Sequence, residues 1–225
     1  EVALVGDAQE GLRALLAQTT QATPRSSWAV ESVARVNQTE RSGWSAKQQS
    51  MQDLLDLLSD SLKDPIIVGD STQPVYQGSF GYQAPQVNSW FNASTGYGTL
   101  GYGLPAAIGA KLACPQRPVV ALIGDGGLQF SSSELIAARE AGVGVILLLW
   151  NNHCYAEIRD YMVAREIPPL GVDILTPDFQ AMARSCHVAH YTANSADSLR
   201  ALLTDLAGSN APVVIELAAS DFLLS

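Results

Sequence analysis

Apolar residues in this chain follow two patterns. Largely apolar, mostly branched runs recur at Pro65–Gly69, Val119–Ile123, Val145–Trp150 and Val213–Leu217. Runs without polar alternation are what parallel strands covered on both faces require. Shorter strands are expected at Val2–Val5 and Val188–Tyr191. Between the runs, apolar residues are spaced three and four apart. Met51, Leu54, Leu55, Leu57, Leu58 and Leu62 make such a stripe along Gln48–Leu62, and Leu12, Leu15 and Leu16 make a shorter one along Ala8–Gln18. The same spacing predicts helices at Trp28–Val36, Leu104–Ala113, Ser132–Ala141, Tyr155–Ala164, Asp178–Cys186 and Ala196–Leu206. A Gly-rich stretch, Gln77–Gly103, precedes the helix at Leu104.

Strand and helix therefore alternate. That order predicts an α/β fold, a three-layer open parallel sheet with helices on both faces. Residues 19–47 are polar and read as a linker between a short unit at 1–18 and a larger one at 48–225. In open parallel sheets, ligands bind beyond the carboxyl ends of the strands. Two strand ends stand out here: Gly124–Gly127 and Asn151–Tyr155.

Composition narrows the function classes. The 225 residues are 47% hydrophobic and carry a net charge of −9. That supports a sizeable core and argues against nucleic acid, which rewards basic patches. No apolar run approaches the ~20 residues of a membrane span, and no polybasic stretch suggests a membrane surface. The three cysteines are far apart and form no CxxC pair, so free thiols in a reducing cytoplasm are expected. The chain opens on a strand-like Glu1–Asp7 without Met, from which a piece of a longer protein is expected.

Three glycines surround one carboxylate in "IGDGGLQF", residues 123–130. A glycine-rich turn between strand and helix suits phosphate, but a carboxylate would repel it. No Gly-Lys-Ser/Thr triplet exists, so this is not a P-loop. The pattern G-x-G-x-x-G occurs at Gly96–Gly101, where an NAD-binding dehydrogenase would need it. It follows a polar segment instead of a strand and is weak by itself. A divalent cation between Asp125 and a diphosphate resolves the conflict, since Mg²⁺ takes hard oxygen ligands. Twenty-four residues separate Gly126 from Asn151-Asn152, enough for one helix and one strand. A right-handed crossover then sets the two turns side by side.

"GDG", twenty-four residues, then "NN" resembles the signature of thiamine-diphosphate-dependent enzymes. "STGYGTLGYGLPAAIGAKLA" is similar to the segment preceding it in the acetolactate synthase and 2-oxo-acid decarboxylase branch. The resemblance spans about residues 48–220 and implies the diphosphate-binding, C-terminal domain of that family. It further implies that residues 1–18 end a central domain and that a pyrimidine-binding domain lies outside this chain. By position, Asp125, the side chain of Asn152 and the main-chain oxygen of Cys154 would hold Mg²⁺. Gly124 and Tyr155 would flank the cofactor. The N–H groups of Gly126 and Gly127, ahead of the helix at 132–141, would meet its diphosphate, with further donors at Thr72 and Gln73. Leu100 matches the large apolar residue that bends the cofactor, and the Gly98 carbonyl matches the acceptor for its 4′-amine. The activating glutamate belongs to a partner's pyrimidine-binding domain, so this chain alone is expected to be inert and the whole enzyme a homodimer or homotetramer. A flavin, carried by many synthases, finds no support in these residues.

The helix after "NN" lines the substrate end in related decarboxylases. Here Glu157, Ile158 and Tyr161 take the matching positions. A carboxylate at Glu157 would suit a cationic tail. It would equally suit a solvated helix face with charge pairs. "WFNASTGYGTLGYGLPAAIGA" also resembles the bacterial 5-guanidino-2-oxopentanoate decarboxylase group, whose 2-oxo acid ends in a guanidinium. The expected activity is thus thiamine-diphosphate- and Mg²⁺-dependent decarboxylation of a 2-oxo acid. Acetolactate synthesis from pyruvate and a non-catalytic cofactor-binding module are the alternatives. His153 invites a catalytic role but suits a surface or supporting position better, and His187 and His190 show no partner in the sequence.

Overall fold

The computed structural model describes residues 5–19 and 30–223. They divide into two compact units, Glu1–Gly43 and Trp44–Ser225. The first contributes α1 (Ala8–Thr19) and α2 (Val30–Ser42). The Asp7 carboxylate caps α1 by accepting from the N–H groups of Gln9 and Glu10 (3.0 and 3.1 Å). The apolar stripe of α1 finds no core among the described residues: Leu12 and Leu16 are each 67% exposed. The strand expected at Val2–Val5 and the start of the helix expected at Trp28 lie outside the described residues, apart from Val5.

The second unit begins with α3 (Ala46–Ser61), started by a capping box in which Ser45 and Gln48 satisfy each other's N–H groups. Then follow β1 (Ile66–Gly69), α4 (Gln73–Gly81), β2 (Trp90–Asn92), α5 (Gly103–Ala113), β3 (Val119–Gly124), α6 (Asp125–Ser131), α7 (Glu134–Glu140) and β4 (Val145–Asn151). After these come α8 (Ala156–Ala164), α9 (Phe179–Ser185), β5 (Ala189–Ala193), α10 (Ala196–Leu206), β6 (Val213–Ala218) and α11 (Ala219–Phe222). The six strands form one parallel sheet in the order β2-β1-β3-β4-β6-β5.

Alternate strand residues enter two separate cores, which makes the expected three layers. Val120, Leu122, Ile146, Leu148 and Trp150 pack against the leucines of α3 and α10. Val119, Ala121, Ile123, Leu147 and Leu149 pack against α5, α7 and α9 on the opposite face. Every residue of β3 and β4 is buried, as two-sided cover demands. Among the described residues, no helix is long and apolar enough to cross a membrane.

The structure sharpens three stretches. The Gly-rich stretch Gln77–Gly103 holds the end of α4 and all of β2. The helix expected at Ser132–Ala141 is α7, Glu134–Glu140, and a further short helix, α6, precedes it, beginning at Asp125 directly from β3. Gly126 and Gly127 therefore lie inside the first turn of α6, not ahead of a helix starting at 132. The helix expected at Trp28–Val36 runs on to Ser42.

Candidate cofactor site

The chain leaves β1 toward β2 on one side and returns to β3 on the other. This places a change of winding direction between the carboxyl ends of β1 and β3, where open sheets form their ligand crevice. A cavity of about 150 Å³ lies there. Its walls are the turn after β1 (Ser71, Thr72, Gln73), Gly98 and Leu100, the β3–α6 turn Gly124–Gly127, and the β4–α8 segment from Asn152 to Ile158 without His153. Residues far apart in sequence thus meet at one place.

Asp125 is 2% exposed. Its Oδ1 accepts from the Gly126 N–H (2.9 Å), whereas its Oδ2 is buried with no hydrogen-bond partner. Burial pushes the carboxyl above the usual carboxylate range, against the opposing pull of the N–H groups of Gly126, His153 and Asn152. A buried carboxylate oxygen without a donor is costly unless a cation faces it. The next strand end supplies what a cation would use. Asn152 Oδ1 is held in the turn by the Cys154 N–H (3.2 Å), and the Cys154 carbonyl accepts no hydrogen bond among the described residues. One carboxylate, one amide oxygen and one carbonyl are hard donors of the type Mg²⁺ takes. No group of three or more His, Cys, Asp or Glu suited to a metal forms among the described residues, so a zinc-type cluster is not built there. Burial also raises the Cys154 thiol pKa, which keeps it protonated and leaves its backbone as the useful part.

The glycines make room. A Cβ at Gly126 would sit 2.5 Å from Tyr155 Cε1, so the aromatic ring packs directly on the turn backbone. Gly98 has φ +68°, a left-handed conformation that side chains disfavour, and its carbonyl accepts from the Ser71 hydroxyl (3.0 Å). Thr72 lines the cavity at the start of α4. Gln73 also lines it, but its side-chain amide reaches Asp160 (3.3 Å).

At the outer end, Glu157 and Ile158 line the cavity, and Glu157 also borders a neighbouring cleft with Lys47, Gln73, Tyr76 and Asp160. Tyr161 does not line it. One helical turn farther along α8, it is 56% exposed and stacks under the Arg165 guanidinium at 3.6 Å. His153 stays outside as well, in a left-handed conformation (φ +55°) with Nδ1 2.8 Å from the Thr176 hydroxyl.

Two groups escape a reading of the sequence. Asp70, fully buried at the end of β1, accepts from the Ser71 and Gly103 N–H groups, both at 2.8 Å, and so ties β1 to the start of α5. His190 has a partner after all: its Nε2 lies 2.9 Å from Glu216 Oε2. The available signal was a lone charge inside the apolar run "VVIELA".

The family model described as "Thiamine pyrophosphate enzyme, C-terminal TPP binding domain" matches residues 68–217. The chain belongs to this family. Within it, the chain is 39% identical over 218 residues to a probable 2-ketoarginine decarboxylase, AruI, of Pseudomonas aeruginosa, covering 96% of this chain and 39% of that protein. It is 31% identical over 216 residues to a benzoylformate decarboxylase of the same organism, covering 96% and 40%. Among solved structures, a thiamine diphosphate-dependent 4-hydroxybenzoylformate decarboxylase of Rhodococcus jostii superposes with a TM-score of 0.68 at 27% identity. It covers 75% of this chain and 32% of that one. This thiamine pyrophosphate domain thus spans about two fifths of the length of the curated relatives it matches.

Proposed function

We propose that this domain supplies the diphosphate- and Mg²⁺-holding half of a decarboxylase for 2-oxo acids with a basic tail, 2-ketoarginine being the leading candidate. The observation that carries the Mg²⁺ part is the buried, unpartnered Oδ2 of Asp125 in a cavity that Cys154, with its carbonyl open, also lines. Asp125, Asn152 and Cys154 would hold the cation, and Thr72, Gly124, Gly126 and Gly127 would border the diphosphate. Thiamine diphosphate, when bound, supplies the electron sink for loss of CO₂ from a 2-oxo acid. Leu100 and Gly98 would fix the bend of the cofactor, and Tyr155 would buttress the turn beneath it.

The basic tail rests on Glu157. It lines the cavity, and no hydrogen bond or ion pair engages its carboxylate among the described residues. An unpaired carboxylate at that rim favours a guanidinium, which can bind it with two parallel hydrogen bonds. The similarity to the AruI decarboxylase agrees with this choice. The whole enzyme is proposed to work as a homodimer or homotetramer, and the three free cysteines suit a reducing cytoplasm.

The test compares kcat/KM of the intact protein for 2-ketoarginine, benzoylformate and pyruvate, in wild type and in Glu157→Gln. The expected result is a preference for 2-ketoarginine that falls at least about tenfold in the variant, through the loss of a charge-assisted pair. Rapid acetolactate formation from pyruvate, with no turnover of 2-ketoarginine, would overturn the reading.

A further inference from the structure

The turn that would hold Mg²⁺ is itself held from outside the cavity. Asn151 ends β4 and is 7% exposed. Its amide is oriented at both ends. Nδ2 donates to Glu216 Oε1 (2.7 Å), and Oδ1 accepts from the His153 N–H (3.3 Å). The second oxygen of Glu216 is taken by His190 Nε2 at 2.9 Å. One carboxylate on β6 therefore joins β5 to the end of β4. Its side chain is only 22% exposed and that of His190 7%.

The direction of these bonds matters. An amide can be turned over at little cost unless its neighbours distinguish nitrogen from oxygen. A carboxylate accepts only, so Glu216 forces the Asn151 nitrogen toward itself and leaves the oxygen for the His153 N–H. His153 lies in the left-handed region, which a residue with a Cβ adopts only under local constraint. That single residue separates Asn152 from Cys154. The hydrogen bond to its N–H holds this turn from the β4 side, alongside the bond from the Ile174 N–H to the His153 carbonyl (3.1 Å) and that between its ring and Thr176 (2.8 Å).

We infer that Glu216 is a positioning residue for the cation: through Asn151 it fixes the turn that presents Asn152 and Cys154. The inference rests on the proposed Mg²⁺ site. Nothing in the mechanism calls on Glu216 to touch cofactor or substrate, and it does not line the cavity. Partners behind metal ligands typically change metal affinity by about 10–100-fold when removed.

Mg²⁺ is titrated calorimetrically into the intact protein at fixed thiamine diphosphate, with folding followed by circular dichroism. Glu216→Ala should weaken Mg²⁺ binding by at least about tenfold with unchanged far-ultraviolet spectrum. Glu216→Gln keeps an acceptor for Asn151 and should stay within about threefold of wild type, inside the range left by one retained hydrogen bond. Asn151→Ala should match Glu216→Ala, and the double variant should be no weaker than either alone, because both act through one contact. If Glu216→Ala does not fold, the Asn151→Ala and Glu216→Gln pair carries the same comparison. Wild-type Mg²⁺ affinity in Asn151→Ala or Glu216→Ala, or additive losses in the double variant, would overturn the role of Glu216. Asp125→Ala separates the two readings: if it too binds Mg²⁺ normally, the metal site itself is misplaced.

Discussion

Asp70 and Gly103 lie 33 residues apart in sequence, and the carboxylate of one accepts the backbone N–H of the other at 2.8 Å. This bond crosses from the end of β1 to the start of α5 and closes the base of the loop that carries Gly98 and Leu100. Removing the acceptor in Asp70→Ala leaves the N–H groups of Ser71 and Gly103 without it in a buried place. The expected loss is at least about 2 kcal/mol of stability, read by urea denaturation. Cofactor affinity should fall with it, since the loop borders the cavity.

Asp125 sets a pH dependence of the metal-free protein. Its carboxyl is raised above the ordinary 3.8, so ionising it is harder in the folded chain than in the unfolded one. At pH values below 3.8 both states are protonated and no penalty exists. As the pH rises from there through the raised value, metal-free stability falls, and above it the penalty is complete. Asp125→Asn removes the charge. In EDTA at neutral pH it should melt higher than wild type, with the difference shrinking toward acid. Mg²⁺ with thiamine diphosphate should raise the melting temperature of wild type only.

Gly126→Ala tests the packing of the turn. The new methyl would sit 2.5 Å from Tyr155 Cε1, so the ring must move. Thiamine diphosphate affinity should drop at least about tenfold through the displaced ring and turn, a 1.4 kcal/mol effect. Quenching of intrinsic fluorescence by added cofactor reads this directly. Gly109→Ala, which meets nothing within 4 Å, is the matched control.

Leu100→Ala separates anchoring from activation. Leu100 lines the cavity but offers no oxygen side-chain donor, unlike Asp125 and Asn152. Cofactor and Mg²⁺ binding should stay within about threefold of wild type, while kcat of the intact enzyme falls by at least about tenfold. Equal losses in binding and turnover would assign Leu100 to the anchor instead.

Legibility in the sequence followed distance along the chain. Asp125 and Asn152 could be read because one helix and one strand must separate neighbouring strand ends, and their spacing fits that length. Asp70 could not, because a carboxylate before Ser71-Thr72 looks like any turn residue until Gly103 is brought to it. His190 was invisible for the same reason, its partner lying 26 residues away. Helix α6 was missed because Gly126 and Gly127 weigh against helix locally, and β2 because three residues leave no period to detect. Tyr161 was misplaced because matching positions along a helix does not say where the cavity ends.

The placement of Glu157 and Ile158 has a consequence for how such a domain diversifies. The anchoring turns spring from β3 and β4, strands with neighbours on both sides and cores on both faces. Glu157 and Ile158 sit on the first turn of α8, where Ile158 is 55% exposed. Substitutions on an exposed helical turn usually shift stability by less than about 0.5 kcal/mol. In the proposed assignment, the turns that would grip the cofactor are therefore costly to alter, while the helical turn that would meet the substrate is nearly free to vary. On that proposal, such a division would let one scaffold be retuned between 2-oxo acids of different tails by a few surface changes, with the buried grip inherited intact.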